Sequence, residues 1–243
     1  MVERLRSGDR AAFAEIYDEF SEALFDLCMV LLRDRDDAED AVHDAFILAA
    51  ERIDQLRDPE RLRPWLFVIA RHVCFRRITQ RRRTTPMATV PDIDLTDDDP
   101  AADLTAVEAA ELVWAAASGL NDRDRAVLYL NTTQGLEGDI LAAALGLQHA
   151  NPHSLLSRVK QQLDRAIGVL LVARVGGRDC SALSGVLADW NGNLSPLLRK
   201  RLGRHVDDCE TCQSTRVRAL ASSAIAGIVP HSPPRQPMPW RRA

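Results

Sequence analysis

Aromatic side chains are scarce in this sequence, and so are stretches that alternate apolar and polar residues. Aromatics make up only 5% of the 243 residues. Strands favour aromatic and β-branched residues in a period-two pattern, so the scarcity of both argues against a sheet. Alanine and leucine are abundant instead, and hydrophobic residues reach 46%. The sequence therefore predicts an all-α protein with a packed core.

Long apolar runs are also lacking. The longest, at 166–175 and 219–229, fall short of the roughly 20 residues that a membrane-spanning helix needs. Residues 1–10 are charged where a secretory signal would be apolar. The five cysteines are odd in number and widely spaced, which fits reduced thiols better than a disulfide framework. We expect a cytoplasmic protein with no membrane partner.

Basic residues are absent from one long stretch. Residues 84–120 hold eight acids and no base, and the whole chain has a net charge of −4. Any nucleic-acid contact must therefore be local. Within this stretch, 84–105 contains three prolines and six aspartates, which predicts an extended, self-repelling linker.

Before the linker, residues 64–83 predict a helix of two halves. The first half is apolar almost all round, and the second half carries five arginines and no acid. Such a helix is anchored in a core and points its far end at an anion, or it is a core helix with a solvated basic end. Asp9 caps a preceding helix that runs to about Leu32. With an acidic-faced helix at about 37–53, residues 1–83 form one helical domain.

After the linker, residues 106–175 predict a second helical domain. Helices are expected at about 106–120 and 125–131, followed by a short helix that Gly146 closes. Another begins at Pro152 or Ser154. Two helices across a short glycine-containing turn are typical of a helix-turn-helix, although an ordinary helical hairpin looks similar.

Cysteine and histidine cluster in the segment 179–229. On a helix, His205 and Cys209 lie one turn apart on one face, and Cys212 brings a second thiolate to the same point. These soft ligands suit tetrahedral zinc, with Cys180 closing the shell, although the cluster could be coincidental. Four protein ligands leave no open position, so the zinc would be structural or redox-sensing and we expect no enzyme. The Pro-rich tail, 230–243, is predicted to be disordered.

Together these pieces resemble a bacterial RNA polymerase sigma factor of the extracytoplasmic-function (ECF) type, over about residues 5–172. The opening GDRAAFAEIYDEF, the acidic helix and the basic helix resemble the promoter-melting region 2 of that family. The family's DAED motif stands at 37–40 and is followed by Asp44 and Phe46. NDRDRAVLYLNTTQGLEGDILAAALGL resembles region 4, which binds the −35 element. His72 and Arg76 stand where many members carry Asn and Asp.

The resemblance implies partners and site residues. Core RNA polymerase would be bound at its β′ clamp helices, through Asp37, Asp40, Asp44 and Phe46. The −10 promoter DNA would be contacted by Arg57, Arg61, Arg71, His72, Arg76, Arg77 and Arg81. The helix-turn-helix would sit on the β flap and contact the −35 element through Ser154, Ser157, Arg158 and Lys160. The acidic linker would thread the RNA exit path, where its charge imitates RNA.

The segment from Asp179 resembles a zinc-binding anti-sigma domain, with Cys180, His205, Cys209 and Cys212 at the ligand positions. Fused to a sigma factor, it implies regulation in cis. We expect it to pack on one or both sigma domains and limit activity, beside an equally open structural role for the zinc; a separate anti-sigma partner is also open. The alternative function is a polymerase-binding regulator or anti-sigma-like interaction protein without promoters of its own.

Overall fold

The computed structural model describes residues 2–84, 104–147, 151–175, 178–188 and 190–222. Over these residues there is no strand, and every regular element is helical, which confirms the all-α prediction. No helix within these ranges is long and apolar enough to cross a membrane. Most of the predicted linker and all of the predicted disordered tail lie outside the described residues, so both stay predictions.

The helices follow one another with short connections. They are α1 (Val2–Arg6), α2 (Arg10–Leu32), α3 (Arg35–Glu51), α4 (Leu62–Thr84), α5 (Leu104–Ala117), α6 (Asp122–Thr132), α7 (Gly138–Ala144), α8 (Pro152–Val175), α9 (Ser181–Val186), α10 (Pro196–Asp208) and α11 (Glu210–Ser222). Two 3-10 turns, Ile53–Gln55 and Pro59–Arg61, lie between α3 and α4.

Contacts divide the described chain into two units. The first comprises 2–84 with 129–155, and the second comprises 104–128 with 156–222. The boundary runs through α6 and α8. The predicted domains at 1–83, 106–175 and 179–229 group the helices differently, and those bounds stay predictions.

Helix α2 begins and ends at residues with identifiable capping roles. The Asp9 carboxylate accepts hydrogen bonds from the backbone N–H groups of Ala11 and Ala12, as the sequence predicts. A side-chain hydrogen bond from Arg4 lowers the pKa of Asp9. At the other end Arg33 takes a left-handed conformation, with φ of 56°, and stops the helix.

The core of the first unit lies where α2, α3 and α4 pack on one another. Phe25, Phe46 and Phe67 are its largest apolar side chains and are almost fully buried. The thiols of Cys28 and Cys74 also meet there, with their Sγ atoms 3.4 Å apart. The hydrogen bond with Cys74, together with burial, raises the pKa of Cys28 well above its usual range. All five cysteines of the chain are free in this structure.

Helix α7 belongs to the first unit and packs on α4. The buried Tyr129 supports it by donating a 2.9 Å hydrogen bond to the carbonyl oxygen of Ala23 in α2. The same hydroxyl accepts a bond from Gln134, and Gln134 in turn accepts two from Arg63 of α4. These bonds connect the α6–α7 turn to α2 and α4.

In the second unit the C-terminal helices pack on α5 and α8. Ser118, after α5, donates a hydrogen bond to the carbonyl of Leu194, and Arg199 of α10 donates a 2.6 Å bond to the carbonyl of Gly119. A Cβ atom placed on Gly119 would lie 2.9 Å from Cδ of Arg199. Likewise, a Cβ atom on Gly168 of α8 would meet Arg216 of α11 at 3.1 Å. Both glycines therefore permit the close approach.

Candidate metal centre and nucleic-acid interface

Cys180, His205, Cys209 and Cys212 come together in the second unit. One ligand atom from each residue lies within 4.8 Å of all the others. His205 Nε2 is 3.3 Å from Sγ of Cys180 and 3.3 Å from Sγ of Cys212. A tetrahedral zinc with Zn–S bonds of about 2.3 Å separates its ligand atoms by about 3.8 Å. The four residues could therefore hold a metal ion with little movement.

Each ligand sits at or near the end of a helix. Cys180 is the N-cap of α9, where its thiol accepts a bond from the backbone N–H of Leu183. His205 lies in the last turn of α10, and Cys212 lies in the first turn of α11. Cys209 stands between them. The prediction that His205 and Cys209 share one continuous helical face is wrong, because Cys209 is extended, with φ of −116° and ψ of 113°.

The pKa values of the Cys209 and Cys212 thiols are shifted in opposite directions. The backbone N–H of Cys212 is the main cause that lowers the pKa of Cys209. Burial is the main cause that raises the pKa of Cys212 to about 12. A bound cation would supply the positive charge that favours the thiolate at Cys212.

The predicted DNA-binding and polymerase-binding side chains meet between α3 and α4. Arg77 Nη2 lies 2.6 Å from Asp44, and Arg77 Nη1 lies 3.6 Å from both Asp37 and Asp40. Arg81 is ion-paired with Asp37 as well. Sequence periodicity identified each charged face but could not show that the two faces meet. In this conformation Arg77 and Arg81 neutralise part of the acidic face.

Arg71 lies on a different side of α4. Its guanidinium carbon is 5.7 Å from the ring centroid of Phe75. An Nη2 atom of Arg71 would lie 2.8 Å from a Cβ atom on Gly146, the left-handed residue after α7. Arg71 therefore faces α7, and Gly146 leaves room for it.

The remaining predicted −10 residues are open to solvent. His72 and Arg76 are exposed and lie four residues apart, so they share one face of α4. Arg57 and Arg61 are exposed in the turns before α4, and Arg61 is 3.5 Å from Asp58. Arg57, Arg61 and Arg76 therefore carry positive charge at exposed positions.

Phe46 has a core position, although the resemblance implies that it binds polymerase. Its side chain is 2% exposed and packs against Phe13 and Tyr17, with ring centroids at 6.2 Å and 4.6 Å. It cannot touch a partner directly in this conformation, because other side chains cover it. Its contacts with Phe13 and Tyr17 instead hold α3 against α2.

Sequence reasoning missed Ile47, the neighbour of Phe46. Ile47 is 47% exposed and lines a groove of about 660 Å³ between α3 and α4. Glu51, Arg76 and Gln80 line the same groove. The sequence signal that could have identified Ile47 is its apolar side chain within the acidic face of α3.

The predicted −35 residues all lie on α8. Ser154, Ser157, Arg158 and Lys160 are exposed. Asn151 stands before the helix, and its side chain accepts bonds from the backbone of His153 and Ser154. Arg158 Nη2 lies 3.7 Å from the buried carboxylate of Asp124. The first half of α8 therefore offers polar side chains to solvent.

Comparison with known families finds sigma-70 region 2 at residues 16–84. This match begins inside α2 and ends with α4, so it covers the three helices of the first unit's core. It contains the acidic face, the groove and the basic end of α4.

Known sigma factors are similar to this chain over a longer stretch than region 2 alone. The ECF RNA polymerase sigma factor SigM of Mycobacterium tuberculosis is 30% identical over 165 residues, which is 68% of this chain and 81% of SigM. The RNA polymerase sigma-H factor of Pseudomonas aeruginosa is 25% identical over 181 residues, covering 70% of this chain and 94% of that protein. The ECF sigma factor SigW of Bacillus subtilis is 31% identical over 81 residues, or 33% of this chain and 43% of SigW. With its helical core, its region 2 match and these relatives, the chain belongs to the ECF family of RNA polymerase sigma factors.

Proposed function

We propose that the chain binds core RNA polymerase in the cytoplasm and directs it to promoters, where it starts transcription. The observation that carries this proposal is the region 2 match at 16–84, which coincides with the three core helices of the first unit. Initiation needs phosphate contacts by basic residues and capture of unstacked bases. The exposed His72 and Arg76 supply such a surface on α4.

The acidic face of α3 would bind the β′ clamp helices. Asp40 and Asp44 suit this role because their side chains are 73% and 52% exposed, although both face Arg77. The exposed Ile47 would add an apolar contact in the adjacent groove. Binding of polymerase would then release Arg77 from its carboxylates and make it available to DNA.

The exposed first half of α8 would contact the −35 element, in a helix-turn-helix that sits on the β flap. The acidic linker would occupy the RNA exit path of the polymerase. Ser157, Arg158 and Lys160 point to solvent even though α10 and α11 are packed in the same unit. We call α9, α10 and α11 the C-terminal module. Its packing favours a module that supports α8 over one that masks α8.

The metal of the C-terminal module would be zinc. Cys180, His205, Cys209 and Cys212 form the thiolate-rich donor set that zinc prefers. Four protein ligands fill a tetrahedral shell, so zinc would hold α9, α10 and α11 together and activate no water. Oxidation of the thiolates would release the metal, which gives the module a route to regulate the sigma factor in cis.

Transcription with core polymerase tests the proposed function. The full chain is mixed with core polymerase, and runoff transcripts are mapped across fragments of the source genome. We expect discrete start sites that core polymerase alone does not give. If the chain binds core polymerase and no start site appears, the chain is a polymerase-binding regulator without promoters of its own. Crosslinking of α8 to DNA separates these two functions independently.

A further inference from the structure

Part of the segment that resembles region 4 is packed into the unit that contains region 2. The region 4 resemblance begins at residue 121 and the region 2 match covers 16–84, yet the first unit contains both 2–84 and 129–155. Helix α7 packs on α4, and Leu141 and Leu145 are only 1% and 3% exposed. Helix α7 therefore adds buried apolar side chains to the unit that carries the proposed −10 contacts.

Polar contacts hold the segment before and after α7. Before α7, Tyr129 donates a 2.9 Å hydrogen bond to the carbonyl oxygen of Ala23. Arg63 Nη2 donates to the backbone oxygen and to Oε1 of Gln134, at 3.0 and 2.9 Å. After α7, the side chain of Arg71 lies against Gly146. We call these bonds of Tyr129 and Gln134, together with the approach of Arg71 to Gly146, the α7 contacts.

The α7 contacts keep the proposed −10 and −35 residues close together. Ser154 lies eight residues after Gly146, so their Cα atoms are at most about 29 Å apart. His72 is the neighbour of Arg71, which reaches Gly146. Ser154 and His72 are therefore within about 45 Å of each other. Promoter positions −35 and −10 are about 25 base pairs apart, or about 85 Å along the duplex. The chain cannot contact both elements while the α7 contacts persist.

The connection between α4 and α5 is long enough to permit the separation. Helix α4 ends at Thr84 and α5 begins at Leu104, and a chain of 20 residues spans at most about 70 Å. Helix α4 has 23 residues and is about 35 Å long. Prolines and aspartates in the sequence 84–105 favour an extended connection. Release of α7 from α4 would therefore let the two DNA-binding helices reach their separate elements.

We propose that the α7 contacts hold the free chain in a closed form that cannot start transcription, and that core RNA polymerase captures the open form, in which α7 has left α4. The inference rests on the proposed function, since it takes α4 and α8 as the promoter contacts. Opening and polymerase binding are then linked equilibria. The apparent affinity for core polymerase is lowered in proportion to the small fraction of chains that are open.

The test compares two charge-matched double variants of the full chain. Arg63→Gln with Arg71→Gln removes the two α4 side chains that take part in the α7 contacts. Arg10→Gln with Arg52→Gln removes two exposed arginines from the same unit. Hydrogen exchange of the free proteins measures how firmly α7 is held. Binding to core polymerase is measured without DNA, so the proposed −10 contact of Arg71 does not enter.

We expect the α4 double variant to exchange faster in α7, with exchange in α3 unchanged, and to bind core polymerase at least roughly fivefold more tightly than the wild type. Fivefold corresponds to the two lost hydrogen bonds at the low end of their usual net contribution. The control variant should match the wild type in both measurements. If the double variant does not fold, Arg63→Gln is compared with Arg52→Gln, since both of these side chains are exposed.

The sign of the change in affinity separates the closed form from ordinary packing. Contacts that only stabilise the fold would leave polymerase binding equal or weaker when they are removed, and either result would overturn the inference. Unchanged exchange in α7 would also overturn it, because the α7 contacts would then hold nothing. Equal tightening in the control variant would assign the effect to net charge and overturn it as well.

The result is distinguishable from that of the runoff screen. If start sites appear and the α4 double variant binds core polymerase no more tightly than the wild type, the inference fails and the proposed function stands. If the double variant binds more tightly and no start site appears with any protein, the proposed initiation function fails and the closed form stands. If no protein binds core polymerase, both fail.

Discussion

Among single residues, Tyr129 combines complete burial with two hydrogen bonds. Its hydroxyl donates to Ala23 and accepts from Gln134. Replacing it by phenylalanine leaves the Ala23 carbonyl and the Gln134 amide without this partner. We expect Tyr129→Phe to lower the free energy of unfolding by about 1–2 kcal/mol, measured by urea denaturation near neutral pH. An unchanged unfolding midpoint would contradict the role of these bonds.

The difference in unfolding free energy between the wild type and Tyr129→Phe depends on pH. Burial raises the pKa of Tyr129 well above its usual value, so the unfolded chain loses this proton first as pH rises. The contribution of Tyr129 is therefore fully present below about pH 10, the ordinary tyrosine value, and declines above it. We expect the stability difference between wild type and Tyr129→Phe to narrow above about pH 10. A difference that stays constant would contradict the burial of this hydroxyl.

The metal ligands give a second prediction at this scale. We expect the purified chain to contain about one zinc per molecule and Cys209→Ser to contain almost none, because loss of one of four ligands greatly weakens a closed site. Metal content is measured by elemental analysis after dialysis. Cys28→Ala is the matched control, since Cys28 is buried in the other unit. Equal zinc in wild type and Cys209→Ser would exclude this donor set.

Between elements, the contact of α10 with the end of α5 depends on Gly119. A methyl group at this position would lie 2.9 Å from Arg199 and 3.0 Å from Leu194. We expect Gly119→Ala to loosen α10 and to cost about 1–3 kcal/mol, as overpacking commonly does. Hydrogen exchange should increase in α10 and remain unchanged in α2.

Gly185 provides the control for that variant. A Cβ atom at Gly185 meets nothing within 4 Å. Gly185→Ala should therefore leave hydrogen exchange in α10 close to the wild-type values. Equal exchange in the Gly119→Ala variant and the wild type would show that α5 and α10 do not pack as described.

Local sequence signals predicted individual elements well. Asp9 and Gly146 mark helix ends through capping and left-handed backbone, which are properties of a few neighbouring residues. Pairing between helices was harder to predict. Periodicity identified an acidic face on α3 and a basic end on α4, but the bonds from Arg77 to Asp44 depend on tertiary packing.

The candidate metal centre shows the same contrast between what local sequence predicts and what depends on tertiary packing. Residue type and spacing were enough to select Cys180, His205, Cys209 and Cys212, because soft ligands near one another are rare by chance. The backbone between them was not predictable. The chain leaves the helix at Cys209, a change that depends on how α10 meets α11.

For the whole molecule, we propose that the C-terminal module, α9 to α11, acts on transcription through its packing on α8. A chain that ends at Arg178 loses the helices that pack on α5 and α8. We expect it to bind core polymerase through the first unit while giving several-fold fewer transcripts. Filter binding of core polymerase and quantitative runoff transcription measure the two effects separately.

Cys209→Ser tests the same role in a chain of full length. It should reproduce part of the loss, because the module remains present without its metal. Increased transcription from the shortened chain would instead support the expectation that the module limits activity. Unchanged transcription from both proteins would remove any regulatory role of the module.

Promoter-dependent transcription by the full chain tests the central claim most directly. Runoff transcription with core polymerase is compared for the wild type, for His72→Ala with Arg76→Ala, and for the Arg10→Gln with Arg52→Gln control. We predict discrete transcripts from the wild type and the control, and transcripts reduced roughly tenfold in the α4 variant at protein concentrations that saturate core polymerase, because the lost contacts are to DNA. Absence of transcripts from a wild-type chain that binds core polymerase, or equal transcription by the α4 variant, would contradict it.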